Sequence, residues 1–170
     1  MRRSETINFS LLLPVGITLL FTTPVPSSAQ FFRNMASSLK GVKLVAIEVA
    51  QMKQEPGHDG FGATQIQTDV ELELRRNGIE ITQDAGQSDG VFFIAATCLP
   101  HSGKQRHWFC TLKTDFIQEV ILYRDPTMTT TATTWTRFRL GQGDPAGLRQ
   151  VIRGMTDEFC NDFRKENPKT

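Results

Sequence analysis

Past residue 29 the 170-residue chain has no apolar run approaching the roughly 20 residues that a membrane-spanning helix needs. It also lacks an excess of either charge. Its 19 basic side chains face 18 acidic ones, and setting aside Arg2, Arg3 and Glu5 leaves 17 of each. Such a balance gives no electrostatic reason to expect nucleic acid or an anionic membrane as partner. Catalytic spacing is equally scarce. No serine or cysteine nucleophile sits in a recognisable elbow, and Gly141-x-Gly143-x3-Gly147 has the wrong spacing for a dinucleotide fingerprint. Asp144 would also put a negative charge where a phosphate would sit. A tight turn and a helix cap account for that motif, and no cofactor is expected.

What the chain does have begins with an export signal. Arg2 and Arg3 form a positive start, residues 9–21 (FSLLLPVGITLLF) are apolar but interrupted by Pro14 and Gly16, and Ser27 and Ala29 are small residues at the −3 and −1 positions. Residues 1–29 therefore read as a cleavable signal peptide, with cleavage between Ala29 and Gln30, and the destination as periplasmic or secreted. No cysteine follows the small residues, which argues against a lipoprotein route. The rest divides into a lead-in (30–40), one domain (41–166) and a tail (167–170), a length that supports a single core.

Hydrophobic periods place the elements. Val45, Ile47 and Val49 share one face of a strand. Ala63, Ile66, Val70 and Leu74 form the stripe of a first helix, with Thr64 as expected N-cap and Gly78-Ile79 as a Schellman-type stop. A short strand at 79–82 follows, then a nearly all-apolar one at 91–98, a long alternating one at 108–124, a turn at Asp125-Pro126, and a threonine-rich one at 129–140. Asp144 as cap, Pro145 at the first helical position and the stripe Leu148, Ile152, Met155, Phe159, Phe163 define a closing helix. The order β-α-(β)-β-β-β-α predicts an α+β fold: a mostly antiparallel sheet of four or five strands, with both helices on one face.

Few residues offer chemistry. A hairpin centred on Lys104 sets Cys98 opposite Cys110, and in an export compartment that pairing predicts a disulfide. The same stretch reads Cys98-x2-His101-x5-His107-x2-Cys110, a four-ligand zinc array in the alternative reading. Cys160 is left over, either a buried thiol, an intermolecular bridge or a partner to one of the hairpin cysteines. His58 beside Asp59 lies in a polar loop and reads as solvated. Trp135, Arg137 and Arg139 alternate along one face of their strand and form a candidate binding patch, or else an ordinary solvent face. Asp157, Glu158 and Asp162 read as solvated charge on the last helix.

Gly41-Val42 leading an apolar strand, the run IQTDVELELRRNGI (66–79), the Trp135-bearing strand, and a closing helix with Asp157, Phe159 and Asp162 before Asn167-Pro168 together resemble small exported bacterial proteins of uncharacterised function. In layout the domain also resembles the small α/β domain of periplasmic Tol-system propeller proteins. The resemblance implies an envelope setting and no particular activity. The expectation is a non-enzymatic exported binding module whose partner is a protein or envelope component, with no membrane span after cleavage. The alternatives are a structural envelope subunit, homodimeric through an edge strand or Cys160, and a metal-dependent enzyme using His101 and His107.

Overall fold

The computed structural model describes residues 35–50, 61–100 and 107–168. Its elements run β1 (Leu44–Val49), α1 (Ala63–Arg76), β2 (Glu80–Thr82), a 3-10 turn (Ala85–Gln87), β3 (Gly90–Pro100), β4 (Trp108–Leu122), β5 (Asp125–Gly143) and α2 (Pro145–Glu166). The fold is α+β, with one five-stranded sheet in the order β2-β1-β3-β4-β5.

Counted by paired residues the sheet is mostly antiparallel, because β3–β4 and β4–β5 are the long ladders. The other half is parallel. The strands after α1 do not simply pair in succession: β1 lies between β2 and β3 and runs parallel to both. A parallel neighbour needs a crossover, and α1 supplies it. Asp89 fastens the join where the chain enters β3. Its carboxylate accepts from the backbone N–H groups of Lys43 and Leu44 at 2.7 and 2.9 Å.

Both helices cover the same face. Ile66, Val70 and Leu74 of α1 and Leu148, Ile152, Met155, Phe159 and Phe163 of α2 are buried against Val45, Phe92, Ile94, Leu112, Phe116 and Trp135. Their ends follow local chemistry. Gly78, at φ +80°, donates its N–H to the Arg75 carbonyl while Ile79 donates to Leu74, which is the Schellman pattern. Asp144 accepts from the Gly147 N–H at 2.8 Å, and Pro145 opens α2. At the start of α1 the cap is Gly62, with no side-chain hydrogen bond, so Thr64 lies inside the helix.

Three further boundaries differ from the sequence reading. The lead-in belongs partly to the domain: residues 35–37 form a helical turn, and Met35 and Leu39 are buried. The turn after β4 falls at residues 123–124, so β5 begins at Asp125 and is 19 residues long. Its end includes Gly141, because a Cβ there would lie 3.0 Å from Leu148 Cδ2 and 3.3 Å from Leu112 Cδ1. Gly141 therefore lets α2 sit down on β5, and the glycine motif is strand and cap, with no phosphate loop.

Candidate interaction surface

Among the described residues no helix covers the other sheet face, and register determines what it shows. Leu99 pairs with Phe109, Thr97 with Thr111 and so with Leu140, and Ala95 with Lys113 and so with Phe138. All these side chains point away from the helices, because Cys98, Cys110 and Leu112, one position out of phase, are in the core. Leu99, Phe109, Phe138 and Leu140 are 62%, 45%, 55% and 77% exposed. They cluster at one end of three adjacent strands. Scattered surface apolar residues need no explanation, but a contiguous group does.

The middle of this face is polar and self-contained. Asp115 is buried although it faces away from the helices. It accepts from the Thr136 hydroxyl at 2.6 Å and pairs with Lys113 Nζ at 2.7 Å. Among the described residues, the sheet has no third strand beyond Ile117. β3 has its last partner there, whereas β4 and β5 continue together to Leu122 and Asp125 as a two-stranded arm.

The candidate patch at Trp135, Arg137 and Arg139 is placed differently from a binding surface. Trp135 is fully buried on the helix-covered face, packed edge-on to Phe159 with ring centres 5.1 Å apart. Its indole N–H donates to Asp162 Oδ2 at 3.0 Å. The Arg137 guanidinium lies 4.5 Å from the Trp135 ring centre and bonds both Glu158, at 2.8 Å, and Asp162, at 2.9 Å. Arg139 takes the other Glu158 oxygen at 2.6 Å. These residues clamp β5 to α2. The correction extends to Asp162, which is largely buried in this network and is not solvated charge.

The cysteines divide as the hairpin register predicts. Cys98 and Cys110 are disulfide-bonded, with Cα atoms 4.1 Å apart, the narrow spacing of a non-hydrogen-bonded pair. With both sulfurs in that bond, neither is a thiolate ligand for zinc. His107 is exposed at the strand end, while His101 and His58 lie outside the described residues. Cys160 is a buried thiol, its pKa pushed up to about 12 by burial and then by the charges of Glu73 and Asp157. Burial removes it from intermolecular bridging.

Other carboxylates serve the frame. Asp69 of α1 binds Arg149 of α2 through two hydrogen bonds, at 2.7 and 2.9 Å, and lies 3.3 Å from Arg153. Burial alone raises its pKa, but the Arg149 bonds and charge outweigh that and hold it below the ordinary value. Asp157 moves the opposite way, raised by burial and by Glu73 across the helix pair. A cavity of about 360 Å³ lies where the two helices end, lined by Val42, Lys43, Gly78, Phe163 and Asn167 among others. The Asn167 amide is already bonded to Gly41 N, Leu39 O and Phe163 O, so it braces the lead-in.

No family model and no curated protein sequence matches this chain. Among solved structures it is similar to a PelC dodecamer, in a single-substitution variant, from Paraburkholderia phytofirmans, at 12% identity and TM-score 0.40, covering 72% of this chain and 86% of that one. It is also similar to a homolog of neuraminyllactose-binding hemagglutinin from Helicobacter pylori, at 10% identity and TM-score 0.27, over 76% and 88% of the two chains. Rare lipoprotein B of Shewanella oneidensis gives 14% identity and TM-score 0.28, over 74% and 93%. Likenesses this distant carry no function to this chain. Among the described residues, no helix is long and apolar enough to cross a membrane.

Proposed function

We propose that the protein is a non-enzymatic exported binding module that engages a protein or envelope component through the face of its sheet opposite the two helices. The observation that carries this reading is the group Leu99, Phe109, Phe138 and Leu140, exposed together on three adjacent strands while both helices occupy the opposite face. A rigid apolar patch beside hydrogen-bonding threonines is the composition of an interface core with a polar rim. The reading is supported further by the side chains that chemistry would require. Asp69, Asp115 and Asp162 are each held by partners within the fold. Export is proposed from residues 1–29, and the disulfide suits an oxidising compartment.

A photoreactive residue placed at Leu140 in the living host tests the surface, with exposed Thr64 on the helix face as control. The expected result is a covalent adduct with a different protein at Leu140 only, lost when Phe109 and Phe138 are changed to Ser. No heterologous adduct at Leu140 would sink the proposal. Export is read separately, from an intact mass that begins at Gln30.

A further inference from the structure

The cavity of about 360 Å³ where α1 and α2 end lies apart from the exposed sheet face. Its size falls at the small end of ligand pockets, which span about 300–1,000 Å³. Val42 and Phe163, both at the margin of the core, give it apolar walls. The state of its cations sets it apart. Among the described residues, every lysine and arginine except Lys40, Lys43, Arg124 and Arg164 is in an ion pair. Two of those four, Lys43 and Arg164, line this cavity. Arg164 donates one N–H to the neutral Asn161 side-chain oxygen at 2.6 Å. The carboxylates that feel these two cations are engaged elsewhere. Asp89 accepts from the N–H groups of Lys43 and Leu44, and Asp157 shares a hydrogen bond with Glu73. Glu80 also borders the cavity. It pairs with Leu44, one position out of phase with Lys43, so its side chain points to the opposite face of the sheet.

We propose that this cavity binds a small monocarboxylate with an aliphatic chain, the carboxylate held by Lys43 and Arg164 and the chain laid against Val42 and Phe163. A planar guanidinium takes a carboxylate through two parallel bonds, and an ammonium adds a point charge. Two helix C-termini meet here, each carrying roughly half a negative charge. That opposing field limits the ligand to one anionic group. The apolar walls in turn distinguish an organic acid from a bare anion, because the chain gains by leaving water. The site goes beyond the binding-module reading: it rests on the helix ends and not on the sheet face, so either can fail alone.

Hexanoate is the probe, titrated into the purified protein and followed by the amide NMR signals of Val42, Gly78 and Asn167. Saturable shifts at these three amides are expected. Acetate, which lacks the chain, and hexanol, which lacks the charge, should each bind at least about tenfold more weakly. Lys43→Gln and Arg164→Gln should each weaken hexanoate by about tenfold. Both side chains are exposed, so circular dichroism should not change. Arg124→Gln removes an equally unpaired cation at the turn between β4 and β5 and should leave the affinity as it was. Absence of saturable shifts overturns the proposal. So does an affinity that Lys43→Gln and Arg164→Gln leave unchanged, or acetate binding as tightly as hexanoate.

Discussion

The indole N–H of Trp135 donates to Asp162 Oδ2 at 3.0 Å, and the same oxygen receives Arg137 at 2.9 Å. One carboxylate on α2 therefore satisfies two donors of β5, one from a fully buried ring. Such a pair fastens the last helix to the sheet at the position where the indole would otherwise be an unpaired buried donor.

Removing that acceptor should cost more than removing the donor. Asp162→Ala leaves the indole N–H without this acceptor and takes one of the two carboxylates from Arg137, and should lower stability by about 2–3 kcal/mol. Trp135→Phe removes the donor and part of the buried ring but leaves Asp162 with Arg137, so it should cost about 1–2 kcal/mol. Urea denaturation of both variants checks the order. Equal losses would show that ring volume, and not the hydrogen bond, dominates.

The Cys98–Cys110 bond closes a loop of sequence separation 12, between two strands whose register the hairpin already sets. Changing both residues to Ser should lower stability by about 2–3 kcal/mol, with the β3 and β4 amides nearest the turn losing hydrogen-exchange protection first. Retained protection there would mean that the strands hold each other without the bond.

Thr114 presents the reverse case. It is fully buried, and its hydroxyl has no hydrogen-bond partner among the described residues. Thr114→Val keeps the shape and removes the unsatisfied group, so it should raise stability by about 1 kcal/mol. A loss in thermal unfolding would reveal that the hydroxyl is satisfied after all.

Two aspartates should respond to pH with opposite signs. The native pKa of Asp89 is lowered by the Leu44 and Lys43 backbone bonds, so its contribution is present above the ordinary 3.8 and is lost as pH falls through the lower native value. Asp89→Asn should therefore be less stable than the parent near neutral pH, by about 1 kcal/mol for an exposed group, with the gap closing in acid. Asp157 is raised by burial and by Glu73, so stability is lost as pH climbs from 3.8 through its higher native value. Asp157→Asn should be the more stable form at neutral pH. Denaturation midpoints measured across acid to neutral pH separate the two, and parallel curves would refute both.

The sequence by itself determined what depends on near neighbours. The Schellman end at Gly78-Ile79 and the Asp144-Pro145 start of α2 are each written within a few residues. So is the α2 stripe, because backbone geometry repeats every few residues. The hairpin register that sets Cys98 against Cys110 follows from counting outward from Lys104. Only the tertiary structure decided which face of β5 meets the helices. Alternation placed Trp135, Arg137 and Arg139 together, but their partners Asp162 and Glu158 lie on an element that follows a turn and packs back. Arginines on a strand read as solvent-facing until an acid from elsewhere arrives to neutralise them. The same holds for β1 inserting between β2 and β3, and for Met35 and Leu39 entering the core. A period is a local property of the chain, whereas the choice of packing partner is settled by what the whole chain can bury at once.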